Sequence, residues 1–476
     1  MGAAWGGEAA APPAQPPLAV QNPEKALASW TEQVKHPLPF FTWGAEYRLR
    51  QEYFHNVFDF STDKVIANAK DNRDVIRNRL RLWMKLGPFF ADEAMEAPNG
   101  LSFYTRFLWN PRYYLQAEFG RDYPNPDWDE RIVDNLYAEW QRIGGLPVSL
   151  RVGRQDFAYG RGFVLMDATP LDGSRTTYAD AIKGTIHLDE LRSTLDLFAM
   201  DNKGEENHRL RPWDWDGNAV DEYNARVYGA YLTNKSFKDT EIGLYYIYKH
   251  EDPIDAIMPF KTTRYNDVFG KEIVHTLGAM VQGKLAKEWD YYAELAGQWG
   301  EHGYANGRDV PRKAYAFSSD LGYTFLGIPW TPRLHGGYEF LSGDDPNTST
   351  YEGWDPVLGR WSRWSDLFGY HSAVEYGRIY YLTNLQRCFL GASVKPTDKL
   401  KLSLDYSYLR TDEFEPGTAG PFGGGRTRGN LFLGIISYDV CKNLQTRIWT
   451  EYFKPGSYYA RRDSALLFQW QAIFSF

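Results

Sequence analysis

The sequence predicts an all-β chain, a transmembrane up-and-down antiparallel β-barrel of about 18 strands. Three observations predict it. Apolar and polar residues alternate with a period of two through most of the chain after Phe40. The connections between these segments are alternately short and long, as in a barrel with tight turns at one rim and loops at the other. Aromatic residues make up 16% of the 476 residues and gather at segment ends, where a membrane barrel carries its interfacial girdles. Mean hydropathy is −0.52. No apolar run approaches the ~20 residues of a membrane helix.

Residues 1–38 read as a flexible Ala/Pro-rich extension with at most a short helix near Pro23–Val34. The opening MGAAWGGEAAAPPAQPP has neither a basic n-region nor an apolar h-region, so no intact secretory signal is visible. The barrel is expected over residues 39–476. FTWGAEYRLRQEYF sets Phe41, Trp43, Ala45, Tyr47 and Leu49 against Glu46, Arg48, Arg50 and Glu52. RNRLRLWMK sets Leu80, Leu82 and Met84 against Arg77, Arg79 and Arg81. TEIGLYYIYK and KLKLSLDYSYL alternate in the same way, the latter with Leu404 and Ser403 on opposite faces. The final DSALLFQWQAIFSF directs Leu466, Phe468, Trp470, Ala472, Phe474 and Phe476 to lipid. Ten residues at ~3.3 Å each, tilted by ~40°, cover about 25 Å, the height of a bilayer's apolar band. That length argues against a soluble sandwich, and no repeat of propeller length is present.

Short connections fall at 144–147, 189–191, 286–288, 395–398 and 439–443. Long ones fall at 158–177, 201–222, 250–271, 300–311, 343–384 and 411–428, and are rich in Gly, Asp, Asn and Pro. An even strand count puts both chain ends at the short-turn rim.

A cation facing lipid at mid-bilayer costs ~2–4 kcal/mol, so strand arginines should point into the lumen. The inward basic set is Arg48, Arg50, Arg77, Arg79, Arg81, Arg106, Arg151, Lys183 and Arg447. Acids share that face: Glu46, Glu52, Glu139, Asp196, Glu294, Asp320, Glu339, Asp405 and Glu451. Such charges could merely pair across strands. Most of the arginines come from the first few strands, however, so one wall of a wet pore should be basic and should attract anions.

Little else in the chain speaks of chemistry. There is no GxSxG, no HExxH, and the glycines at 423–425 lack a following GK[ST], so neither an enzyme nor a cofactor is expected. Cys388 and Cys441 read as free thiols. The acidic SGDDPN offers Asp344 and Asp345 as a weak calcium candidate without the spacing of a calcium loop. A net charge of −8 argues against nucleic acid.

Three stretches, in order, resemble the alginate export porins: LRVGRQDFAYGRG (150–162) with its Gly-Arg-Gln, YEFLSGDDPNTSTYEGWDPVLGRW (338–361), and RIWTEYFKPGSYY (447–459) before the final strand. The resemblance implies an 18-stranded monomeric barrel in the outer membrane of a Gram-negative-type bacterium. It implies an arginine-rich constriction passing an anionic polysaccharide, and carries over Arg154 and Gln155 as pore residues. A final strand ending in Phe476 resembles the one that barrel-assembly machinery reads, and a periplasmic export partner is possible by the same analogy. The family commonly has acids where GNLFLGIISY has Leu431 and Leu433, so the lumen is less acidic there or the register differs.

The leading expectation is a passive porin for an anionic oligo- or polysaccharide, an alginate-like polyuronate. The alternatives are a binding or anchoring barrel whose pore is plugged by a loop such as 343–384, and a general anion or solute porin.

Overall fold

The computed structural model describes residues 30–57, 60, 72–116, 131–165, 179–202, 224–252, 270–304, 307–359, 364–376, 381–414 and 422–476. A short helix, α1 (Trp30–Lys35), precedes the sheet. The strands are β1 (Phe41–His55), β2 (Arg73–Phe89), β3 (Gly100–Trp109), β4 (Arg112–Gln116), β5 (Arg131–Gln141), β6 (Val148–Gln155) and β7 (Ala179–Leu188). They continue as β8 (Ser193–Asn202), β9 (Asn224–Asn234), β10 (Thr240–Asp252), β11 (Glu272–Lys284), β12 (Trp289–Gly303) and β13 (Asp309–Thr324). After β14 (Arg333–Leu341) comes a helix, α2 (Asp366–Tyr376). The chain ends with β15 (Leu385–Thr397), β16 (Leu400–Arg410), β17 (Thr427–Cys441), β18 (Leu444–Pro455) and β19 (Ala465–Ser475).

All pairings are antiparallel between chain neighbours, and β19 pairs with β1 to close the ring. β3 and β4 both pair with β2 and together form one stave, broken around Asn110–Pro111, so the barrel has 18 staves. Pro111 has no N–H to give a ladder, and its carbonyl instead accepts from Asn78 N at 2.9 Å. Ala45 and Phe476 exchange backbone hydrogen bonds at 3.2 and 2.8 Å, which seals the seam at the short-turn rim. No described helix is long and apolar enough to cross a membrane.

The faces fall as the alternation predicts. On β19, Phe468 and Phe474 are exposed while Leu467, Gln469 and Gln471 are buried. On β16, Leu404 is 61% exposed, and Asp405 and Ser407 are buried. Trp289 and Tyr323 pack together near the short-turn rim; Trp299, His275 and Tyr246 cluster near the loop rim. These are two aromatic belts. Three connections differ from expectation: β15 runs to Thr397, so its turn to β16 is Asp398 and Lys399, and two more are shortened by their strands. β12 and β13 extend through 300–311 and leave only a short link, and β17 and β18 leave only Lys442 and Asn443 at their turn. In both places the backbone continues its ladder through residues whose composition suits a loop.

Inward aromatic rings lie across glycines on the neighbouring strand. Trp83 stands opposite Gly44, Phe198 opposite Gly229, Tyr245 opposite Gly278 and Phe389 opposite Gly337. A Cβ at any of these glycines would meet the ring at 2.2–2.6 Å. The rings therefore lie flat against the wall instead of projecting across the lumen.

Two outcomes follow. Purified protein in detergent should be β-rich and should change mobility on boiling; identical migration of a detergent-free soluble form would exclude the barrel. Leu404→Arg should cost ~2–4 kcal/mol at a lipid-facing position and cut assembly far more than Ser403→Arg. Equal yields of folded protein from the two variants would mean that the register is wrong.

Candidate functional site

The lumen is built from a basic wall, two loops that fold inward, and a tyrosine wall. On β1 and β2, Arg48, Arg50, Arg73, Arg77, Arg79 and Arg81 point inward, and the inward acids of these two strands are Glu46 and Glu52. The register sets Arg48 opposite Arg79, Arg50 opposite Arg77, and Arg77 opposite Arg112 of β4. Farther round, Arg151 stands opposite Lys183. Like charges directly opposite one another destabilise a sheet.

Carboxylates relieve part of this repulsion. Glu52 is fully buried and accepts from Arg50 at 3.1 Å, Arg73 at 3.1 Å and Arg77 at 3.0 Å. Arg50 also holds the Gln471 carbonyl at 2.8 Å. Arg79 pairs with Glu46 at 2.5 Å. Arg106 pairs with Asp134 and Asp156 at 2.8 and 2.9 Å. Arg151 pairs with Glu139 at 2.6 Å and lies over the Tyr137 ring. Lys183 is 3.7 Å from Asp196. Arg81 and Arg447 make no ion pair among the described residues; Arg447 lies 5.3 Å from the Trp449 ring centre. The arginines thus do not line a broad column of water. Arg48 is 1% exposed and Arg81 6%, so both are enclosed by neighbouring side chains.

The Gly-Arg-Gln residues sit elsewhere. Arg154 lies opposite Leu136, which is 44% exposed, yet is itself 1% exposed, and Gly153 just before it has φ +124°, which interrupts the plain alternation of the strand. Its guanidinium pairs with Asp180 at 2.9 Å and donates to the Val133 carbonyl at 3.0 Å. Gln155 donates to the backbone carbonyls of Gly153 and Ala181, each at 3.1 Å. Both side chains secure the loop ends of β5–β7.

The connection from β14 to β15 folds inward and carries α2. Ser365 caps the helix, its Oγ accepting from Phe368 N at 3.0 Å. Glu451 of β18 accepts from Asp366 N at 2.8 Å, from Trp449 Nε1 at 2.7 Å and from Ser365 Oγ. A carboxylate at a helix N-terminus is stabilised by the helix dipole. At the other end, Glu375 takes Arg428 of β17 at 3.1 Å and the Tyr459 hydroxyl at 2.7 Å. Phe368 packs edge-on against Phe453, and Tyr370 against Phe54. Leu431 and Leu433 belong to the same buried cluster and face inward. Leu431 stands opposite Phe453, and Leu433 opposite Glu451. The register is therefore as read, and the leucines add to the apolar cluster that also holds Leu367 and Phe368 of α2.

A second infolded segment follows β6. Leu165 bridges to Leu358, and Phe163 stacks near Trp354 at 6.0 Å, so the two loops interlock. Asp355 of the larger loop pairs with Lys249 of β10 at 2.7 Å. Tyr159 of the smaller one stacks on Tyr231 at 4.1 Å, and Tyr231 faces Tyr245 at 5.4 Å. Tyr245 and Tyr292 both donate to Glu294, at 2.8 and 2.7 Å. His335 bridges Asp320 and Asp405 on the same side of the lumen. The alternation of TEIGLYYIYK already placed Tyr245 inward; its glycine partner and the stack need the strand register.

Asp344 and Asp345 shape their own turn. Asn347 donates to Asp345 from its backbone at 2.9 Å and its amide at 2.8 Å, which holds the Asp345 carboxyl below the usual range. Asp344 accepts from Glu352 N at 3.0 Å. No group of three His, Cys, Asp or Glu side chains able to hold a metal exists among the described residues. Cys388 and Cys441 are both free.

By sequence the chain matches none of the curated proteins. Its fold is similar to solved structures at low identity. These include Pseudomonas aeruginosa OccK7 (OpdD), 11% identical with a TM-score of 0.53, covering 92% of this chain and 98% of that one. Acinetobacter baumannii OccAB2 is 12% identical with a TM-score of 0.54, covering 91% and 98%. Pseudomonas aeruginosa OpdK, solved with vanillate, is 12% identical with a TM-score of 0.54, covering 91% and 98%. The family described as alginate export matches residues 42–416, most of the barrel. The chain belongs to the alginate export family and is an outer-membrane β-barrel porin.

Proposed function

We propose that this porin passes an anionic oligo- or polysaccharide, an alginate-like polyuronate, by passive diffusion along the arginines of β1, β2 and β18. The carrying observation is the stacking of like charges: Arg48 opposite Arg79 and Arg50 opposite Arg77, on two strands whose inward positions hold six arginines and two glutamates. Charges that only stabilised the barrel would alternate in sign across strands. A wall that repels itself is relieved when an anion enters, and many shallow sites in series let a chain bind and still move on. Arg81 and Arg447, without carboxylate partners, are the strongest candidates for direct contact with the solute. The paired Arg79, Arg106, Arg151 and Lys183 set the field around them. In this reading the barrel works as a monomer, engages the barrel-assembly machinery through its last strand, and receives polymer from a periplasmic export partner.

A second reading is favoured by the infolded loop: α2, held at both ends, plugs the pore of a binding or anchoring barrel. Single-channel recording separates the two, since a plugged wild type stays silent. Glu451→Ala removes the acceptor at the α2 N-terminus and should raise conductance if α2 narrows the path, with the boiling-dependent gel shift retained. Unchanged conductance in a folded variant would place the narrowing elsewhere.

The porin should prefer anions, and polyuronate should block its current at low salt. Block should weaken as salt rises, since the polymer approaches the wall through water, where charges are screened beyond ~10 Å at 0.1 M. Arg81→Gln with Arg447→Gln should reduce anion preference and block severalfold while the barrel still assembles. Arg79→Ala should instead lower stability by leaving Glu46 without its partner. A cation-selective wild type indifferent to polyuronate would refute the proposal and leave a general porin.

A further inference from the structure

Near the loop rim, the outer face of β12 and β13 carries a groove of about 420 Å³. Its floor is Gly297, and its sides are Trp299 and Tyr315, which are 45% and 50% exposed. Lys313 stands opposite Trp299, and Tyr315 opposite Gly297, so all four lie on the lipid-facing side of the ladder. Thr350 closes the upper edge, where residue 351 pairs with β13 beyond the end of β14. Trp299 stacks on His275 of β11 at 5.4 Å and 6°, which fixes its ring.

Lys313 is the feature that calls for an explanation. It is an exposed cation on a face that around it presents Trp299, Tyr315 and Leu295 to lipid, with Glu301 the nearest charge toward the loops. Its Nζ lies 6.0 Å from the Tyr315 ring centre and makes no ion pair among the described residues. Glu301 shares the outer face one step nearer the loops, opposite Pro311, and is not paired with Lys313. A lone lysine at the aromatic belt stands at headgroup depth, where an anionic lipid headgroup attracts it. The missing side chain at Gly297 leaves room for an acyl chain directly below.

We infer that this groove binds one phosphate-bearing glycolipid from the leaflet on the loop side. The phosphate lies on Lys313, and an acyl chain runs over Gly297 between Trp299 and Tyr315. The site faces away from the lumen and stands whether or not the pore passes polyuronate.

Native mass spectrometry of the full-length protein in detergent, titrated with diphosphorylated lipid A, tests it. Lipid A should be retained in preference to its dephosphorylated form and to phosphatidylglycerol. Lys313→Gln should weaken retention about fivefold, the worth of one lysine near an anionic headgroup. Gly297→Leu should abolish retention by filling the groove. A Cβ there meets nothing nearer than Tyr315 Cδ1 at 4.0 Å, so this variant should keep the gel shift of a folded barrel. Wild-type retention by both variants would overturn the site. Equal retention of dephosphorylated lipid A would overturn the role of Lys313, and equal retention of phosphatidylglycerol would overturn the choice of a glycolipid.

Discussion

In the hydrocarbon of a bilayer no water is present to hydrogen-bond a bare peptide group, so a strand can cross only if both of its edges are paired. For this chain the requirement is met by one pairing, β1 with β19, which turns a long ladder into a ring without edges. The other features follow from that closure. It gives every strand an outer and an inner face. It forces strand charges inward. It also makes the interior a narrow space in which loop and wall side chains must share room.

What fills that space is a compromise between repulsion and burial. A buried guanidinium is costly unless it is paired or hydrogen-bonded. Glu52 answers three arginines at once, and Glu46 answers Arg79. Across the lumen, tyrosine hydroxyls and carboxylates hold one another, as in the Tyr245–Glu294–Tyr292 arrangement. α2 lies between, with its N-terminus on Glu451 and its rings against Phe453 of β18 and Phe54 of β1.

The two faces of the barrel were legible in the sequence because period two is a property of the backbone itself, independent of partners. That is why Leu404, Phe468 and the inward arginines fall where their parity puts them. Pairing was not legible, since it depends on register. Arg154 illustrates this: its pairing with Asp180 and its bond to the Val133 carbonyl could not be read from its motif. The infolding of the loop before β15 was hidden for a different reason. Gly, Asp and Pro mark a segment as irregular but do not say against what it packs. The one trace of it in the sequence was apolar. Leu431 and Leu433 are apolar at inward positions of β17, and an apolar patch inside a polar lumen implies something packed upon it.

The seam between β1 and β19 also governs how the chain reaches its fold. Glu46 meets Ser475, and His55 meets Leu466, so the closing contacts join the first strand of the barrel to the last one synthesised. Bringing together ends some four hundred residues apart costs about 5 kcal/mol of loop-closure entropy. Until that contact forms, two strand edges stay open to any other β-strand nearby. Contacts so distant in sequence also slow folding. Closure must therefore come late, with the intervening hairpins already in place, and the interval before it is when the chain is most exposed to aggregation.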